Sequence, residues 1–484
     1  MVQDHNLPDV SEATIKDLQA RMSRGETSSR ALVKAYLDRI ARYDKSGPCL
    51  NSFLEVNPDA MFIAEALDLE RARRGPRGPL HGIPVVLKDN IDTADKMHTS
   101  AGSLALADSY ASRDSFVAQK LREAGAVILG KANMTEWANF MTEGMPNGYS
   151  SRGGQVLNPY GPGRLDVGGS SSGSGAAVAA SLVAAGIGTE THGSILSPSS
   201  NNGLVGIKPT VGLISRSGIV PISHVQDTAG PMTRCVEDAA ILLGALAGGD
   251  ERDPATRRSE GFHHTDYTRF LDRHALKGKR LGIPLDDYGK LDEETAALVK
   301  AAEGALKDLG ATVVDISPDR PQGWTSRSLT YEFKPAINVY LSGLAPHVPV
   351  HSLKELIEFN KQYPYKMLRY GQTVFLAAEA TSGTLTEPEY IRLRAEDDRL
   401  SRDKGIDYLL GKYNLDALVY PGIGCTTLAA KSGYPAITVP VGVTFESRPV
   451  AITFTARAWS EPLLLAMAYA FEKGTSFRKP PSLD

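Results

Sequence analysis

Short runs of aliphatic and β-branched residues alternate with amphipathic stretches along most of this chain, a pattern that few folds can satisfy. Residues 83–87, 126–129, 182–188, 204–207 and 313–316 read as strands, with 115–124, 236–247 and 293–309 as helices between them. Further on, 417–420, 436–439 and 450–456 read as strands and 461–473 as a closing helix. Strands separated by helices pack as an α/β sheet covered on both faces. Ahead of them, Ile15, Leu18 and Met22, then Leu32, Tyr36, Leu37 and Ile40, recur at helical spacing. Gly25 and Thr27 divide that run into two helices.

With 484 residues, 42% of them hydrophobic, the chain can build a large core. A net charge of −3 leaves no electrostatic footprint for nucleic acid or an anionic membrane, so a small-molecule or peptide substrate is expected instead. Cys49, Cys235 and Cys425 are odd in number and far apart, which predicts neither disulfides nor a cysteine metal site. Residues 1–10 lack the basic and apolar regions of a signal peptide, and the apolar run 176–188 is broken by Ser181 and too short to span a bilayer. These features predict a soluble cytoplasmic protein, monomeric or homodimeric.

Three segments carry the chemistry. The first is Gly168-Gly169-Ser170-Ser171-Ser172-Gly173-Ser174-Gly175, which leads into an Ala/Val-rich stretch and then into a second turn, Gly188-Thr189-Glu190-Thr191-His192-Gly193-Ser194. Two glycine-rich turns bracketing one buried element let backbone N–H groups crowd toward a ligand, as an oxyanion site requires. The third is Gly82-Ile83-Pro84-Val85-Val86-Leu87-Lys88-Asp89-Asn90, a lysine ending an apolar strand. Gly169-Ser170-Ser171-Ser172-Gly173 also matches a G-x-S-x-G elbow, but turn residues 158–163 precede it where that motif needs a strand. The segment 125–132 misses a phosphate-binding loop, because Ala132 stands where magnesium needs a hydroxyl. His263 and His264 have no metal-ligand spacing, so neither metal nor cofactor is expected.

Together with Gly206-Ile207-Lys208-Pro209-Thr210, these segments resemble the amidase-signature family from about residue 11 to the C-terminus, most densely between 79 and 234. The resemblance implies one α/β domain over 1–484 with a mixed central sheet flanked by helices on both faces. Within it, 11–75 would be an N-terminal helical arm, 76–247 the catalytic core, 248–275 a surface linker, and 276–484 the second half of the sheet with the closing helices. It further implies that Ser194 attacks a carboxamide to form an acyl-enzyme, Ser170 relays its proton and Lys88 accepts it. The backbone N–H groups of Thr191, His192, Gly193 and Ser194 would form the oxyanion hole, Ser171 would support the relay, and Gly169–Ser170 would be a cis peptide. A lysine can act as base only when neutral, so burial must depress its pKa and activity should rise toward alkaline pH.

The chain departs from the family pattern at Ser172, usually Gly, at Glu190, usually Asp, and at His192, where Gly or Asp is expected. The turn Gly-Thr-Glu-Thr is similar to the peptide-amidase branch. Leu196 replaces an arginine common in ammonia-delivering amidotransferase subunits. Pocket walls are expected from Trp137, Phe140, Met141 and His192, and from 420–425. The polar residues 197–202 are expected to form a hydrogen-bonded turn beneath the nucleophile. The expected substrate is a primary carboxamide, including C-terminal peptide amides and aryl or alkyl amides. An amidotransferase component passing ammonia to a partner, or a catalytically silent relative, are the competing readings.

Overall fold

The computed structural model describes residues 7–318 and 324–483. Thirteen strands occur among these residues: β1 (Phe53–Val56), β2 (Pro84–Lys88), β3 (Val127–Ala132), β4 (Tyr149–Ser150), β5 (Gly154–Gln155), β6 (Ala185–Glu190), β7 (Val205–Lys208), β8 (Thr228–Thr233), β9 (Arg280–Ile283), β10 (Thr312–Asp315), β11 (Ala417–Pro421), β12 (Ala436–Val443) and β13 (Pro449–Thr455). Eleven form one sheet in the order β1-β3-β2-β6-β8-β7-β12-β13-β11-β9-β10, while β4 and β5 pair separately. The sheet is mixed: β3, β2 and β6 run parallel, as do β11, β9 and β10, and the strands between them pair antiparallel. All residues of β2, β3, β6, β7, β8, β11 and β13 are buried, as a sheet covered on both faces demands. The molecule is therefore a single large α/β domain of the expected class.

Where the strand expectations differ from the structure, local hydrogen bonding gives the reason. Residues 182–184 stay out of β6 because nearby carbonyls are taken by arginines: Arg39 reaches Ala180 and Ser181 at 2.9 and 2.7 Å, and Arg234 reaches Val178 and Val183 at 3.0 Å. The strands β1, β8 and β9 carry no pattern that predicts them. Thr228-Ala-Gly-Pro-Met-Thr has no alternation and places Pro231 in the middle of a central strand, a position that sequence patterns argue against.

The N-terminal region 11–75 carries helices Ile15–Ser23, Ser29–Arg39 and Ala60–Arg74, and also supplies the edge strand β1. Segment 248–275 has only two short turns, Pro254–Ser259 and Thr268–Phe270, yet it is docked onto the body. Asp253 grips Arg216 through two guanidinium nitrogens at 2.5 and 2.7 Å, and Tyr267 is buried in the main core. A second apolar cluster is built by helices Arg327–Ser342, Leu353–Gln362 and Thr373–Glu379 against residues near 101–106, 134–145 and 220–222. No helix among the described residues is long and apolar enough to cross a membrane.

Candidate active site

Lys88 ends β2, held between its parallel neighbours β3 and β6, and is wholly buried. Its Nζ lies 2.7 Å from Ser170 Oγ, 2.9 Å from Thr189 Oγ1 and 3.2 Å from the Thr189 carbonyl oxygen. Asn90 Nδ2 donates to the same Thr189 hydroxyl at 3.0 Å. Burial pulls the pKa of Lys88 down to about 7, because the ammonium loses its water, and the negative Glu190 and Asp227 oppose that shift.

Ser170 follows a cis peptide from Gly169 and stands two residues before the helix Ser172–Ala179, whose N-cap is Ser171. Its carbonyl accepts the Thr135 N–H at 3.0 Å. Every residue of that helix is buried, and a side chain at Gly173 would collide with the carbonyl oxygens of Asn133 and Ser52. The small residues of this segment thus serve close approach.

Glu190 ends β6, and its Oε2 accepts the N–H groups of Ile195 and Leu196 at 2.7 and 3.0 Å, which folds the turn back on itself around Ser194. Gly193 adopts φ +81°, the left-handed conformation that favours glycine, and lies against Thr426. The Ser171 N–H donates to the Ser194 carbonyl at 3.2 Å, and the Ser171 hydroxyl both donates to the Thr189 carbonyl at 3.1 Å and accepts the Thr189 N–H at 3.2 Å. The two glycine-rich turns are thereby stapled together. Ser194 retains 8% exposure whereas Lys88 and Ser170 have none, so the nucleophile candidate reaches the surface and the base candidate does not.

Thr191 donates its hydroxyl to Asp227 at 2.5 Å, and its carbonyl accepts Gln226 Nε2 at 3.1 Å. The His192 ring nitrogen Nε2 lies 3.1 Å from the Thr427 hydroxyl, and burial pushes its pKa down, which favours the neutral ring. Asn201 and Asn202 bind the carbonyls of Asp166 and Val167 at 3.2 and 2.8 Å, so the polar stretch after Ser194 braces the short helix Leu196–Asn201. Thr189, Asn90, Asp227 and Thr427 all contribute here without a sequence signal of their own pointing to these roles. The glycine-rich motif already contained Thr189. Asn90 lay in the lysine motif, and Asp227 and Thr427 are brought in by topology.

A cavity of about 450 Å³ opens beside Thr189, Glu190 and Thr191, with Tyr110, Ile219, Val220, Ile222, Val339 and Tyr340 among its walls. Of the pocket residues expected from the aromatic segment, Trp137, Phe140 and Met141 pack into the second apolar cluster, and that segment meets the cavity through Ala138. The reason is local: Trp137, Ala138 and Asn139 take φ of 51°, 55° and 65°, a left-handed turn that sequence patterns do not signal. Trp137 then stacks edge-on to Phe375, and Phe140 lies 5.0 Å from Phe333. Tyr420 and Cys425 are likewise core residues.

The family model for amidases matches residues 31–465. The chain belongs to the amidase family. A probable amidase of Arabidopsis thaliana is 43% identical over 477 residues, covering 98% of this chain and 92% of its own length. The solved peptide amidase of Stenotrophomonas maltophilia is 46% identical, covers 98% of this chain and 99% of its own, and superposes with a TM-score of 0.92. One component of the glutamyl-tRNA(Gln) amidotransferase of Nitratidesulfovibrio vulgaris is 34% identical over 95% of each chain. This amidase accordingly acts as a hydrolase on the carbon–nitrogen bonds of linear amides.

Proposed function

We propose that hydrolysis runs through an acyl-enzyme on Ser194, with Ser170 as relay and Lys88 as base. The observation that carries this reading is the 2.7 Å approach of a fully buried Lys88 Nζ to Ser170 Oγ. A neutral amine has two N–H bonds and one lone pair. The two oxygens of Thr189 take the N–H bonds, which turns the lone pair toward the Ser170 hydroxyl. Ser170 can then give its proton to Lys88 as it accepts one from Ser194, and the reverse transfer supplies the proton that the departing amine needs. The N–H groups from Thr191 to Ser194 receive the carbonyl oxygen as it becomes an oxyanion. Water then attacks the acyl-enzyme by the same route and releases the carboxylate.

The substrate class we favour is primary carboxamides, foremost C-terminal peptide amides. The 46% identity to a peptide amidase supports it, as does a cavity roomy enough for several non-hydrogen groups beyond the scissile amide. The ammonia-delivering reading is less favoured, since amidotransferase subunits are the more distant relatives. The three cysteines are free, which supports a reducing, cytoplasmic setting.

The test is ammonia release from a panel of peptide amides and simple aryl or alkyl amides, comparing wild type with Ser194→Ala. Release from peptide amides that vanishes in the variant is the expected result. Turnover that survives in Ser194→Ala would overturn the nucleophile assignment, and a preference for small amides over peptide amides would overturn the substrate assignment.

A further inference from the structure

We propose that Asp227 is a positioning residue for amide hydrolysis, locking the oxyanion turn to one wall of the substrate cavity. This role presupposes Ser194 as nucleophile and the turn 191–194 as its oxyanion hole. Asp227 sits immediately before β8, next to β6, with Glu190 paired to Thr228 across the two strands. That pairing brings a carboxylate from one strand's start against the turn that leaves the other.

Both oxygens of Asp227 are used, and for different partners. Oδ1 accepts the Thr191 hydroxyl at 2.5 Å, and Oδ2 accepts the N–H groups of Ile222 and Ser223 at 2.8 and 2.9 Å. With the adjacent Gln226 holding its carbonyl, Thr191 has its hydroxyl and carbonyl engaged, and its N–H is the polar group that remains for a substrate oxyanion. A donor fixed in place before the charge develops is worth far more than one that must reorganise.

The other oxygen fixes the wall. Ile222 lines the cavity, and the Ser223 hydroxyl donates to Glu332 Oε2 on the helix Arg327–Ser342. Glu332 is buried, and its other oxygen accepts the Tyr390 hydroxyl at 3.1 Å. The same helix contributes Ala336, Val339 and Tyr340 to the cavity. A line of hydrogen bonds therefore runs from Thr191 through Asp227 and Ser223 to the helix that lines the cavity. The simpler alternative is that Asp227 merely closes the loop 222–227, for which the bond to Thr191 would be immaterial.

The two cases separate by kinetics. Thr191→Val removes the hydroxyl and leaves the backbone donor, whereas Asp227→Asn places an amide where one carboxylate served three donors. For a neutral peptide amide, Thr191→Val is expected to lower kcat about 10- to 100-fold with KM changed less than about threefold, and Asp227→Asn to lower it at least as far. The double variant should be no worse than Asp227→Asn alone, because both substitutions act on the shared Thr191–Asp227 bond. Asp227→Asn should also move the acid-side midpoint of kcat/KM to lower pH, since its negative charge holds the Lys88 pKa up. A wild-type kcat in Thr191→Val, or losses that multiply in the double variant, would overturn the proposal. If Asp227→Asn fails to fold, Thr191→Val alone decides. Activity surviving in Ser194→Ala would instead remove the catalytic assignment beneath it.

Discussion

Lys88 ends β2, and Lys131 stands one residue before the end of its parallel neighbour β3, opposite Leu87; both are wholly buried with their pKa drawn down by desolvation. Their surroundings differ. Lys131 Nζ donates to the Ile91 carbonyl at 2.6 Å and the Thr99 hydroxyl at 2.9 Å, within the field of Asp89 and Asp92, which push its pKa back up. Lys88 meets the hydroxyls of Ser170 and Thr189, while the two carboxylates that act on it, Glu190 and Asp227, are engaged with other donors. Burial alone does not make a lysine a base. What matters is whether its nearest polar neighbour is a hydroxyl that can pass on a proton or a set of acceptors and negative charges that stabilises the ammonium.

The sharpest way to break this contrast is to remove each amine. Lys88→Met should lower kcat/KM about 10²- to 10⁴-fold, the range for a positioned general base, while melting at or above the wild-type temperature. The sign follows from linkage. A lysine whose folded pKa is about 7 lets the unfolded chain bind the extra proton between that value and its ordinary pKa, so its cost to stability is full below about pH 7 and fades as pH rises. The variant should therefore lose part of the wild-type gain in stability between pH 7 and 10. Lys131→Met is expected to do the opposite. It strands the Ile91 carbonyl and leaves Asp89 and Asp92 without their buried cation, costing about 3 kcal/mol in urea unfolding, with kcat of the folded protein changed less than about tenfold. Equal effects on activity from the two variants would dissolve the distinction.

The pH profile tests the same contrast without mutation. With Lys88 as base, kcat/KM should fall about tenfold per unit below a midpoint near pH 7 and level off above it, because only the neutral amine accepts a proton. A plateau continuing down to pH 5 would show that no group with that pKa controls the reaction.

The three side chains proposed to react stood out in the sequence as candidates because each lies in a glycine- or strand-bound motif. The strands β2, β3 and β7 were legible as buried aliphatic runs. Their partners were not. Asp227 reaches Thr191 only because β8 lies beside β6, and β8, carrying Gly230 and Pro231, has no strand-like pattern to announce it. The pocket-wall candidates of the aromatic segment pack away from the cavity for a related reason. Trp, Phe and Met suit a substrate wall and a core equally well, and the left-handed turn at 137–139 that sends Trp137 inward is a backbone choice made by the packing around it.

The smallest expected effect concerns Ser171, which braces the contrast from behind. Its hydroxyl makes two bonds to the Thr189 backbone, and Thr189 in turn supplies two of the three contacts of Lys88 Nζ. Ser171→Ala leaves Ser170 and Lys88 in place but frees the strand segment that aims the amine. The loss of one net hydrogen bond, about 1 kcal/mol, corresponds to roughly a fivefold lower kcat if that restraint acts on the base. Ser174→Ala is the matched comparison: its hydroxyl also bonds the backbone of β6, to the Ile187 carbonyl at 3.2 Å, two residues before Thr189. It should lose a similar amount of stability with no change in kcat. If both alanine variants lose activity equally, β6 responds as a whole, and the hydroxyl at Ser171 has no particular hold on the lysine.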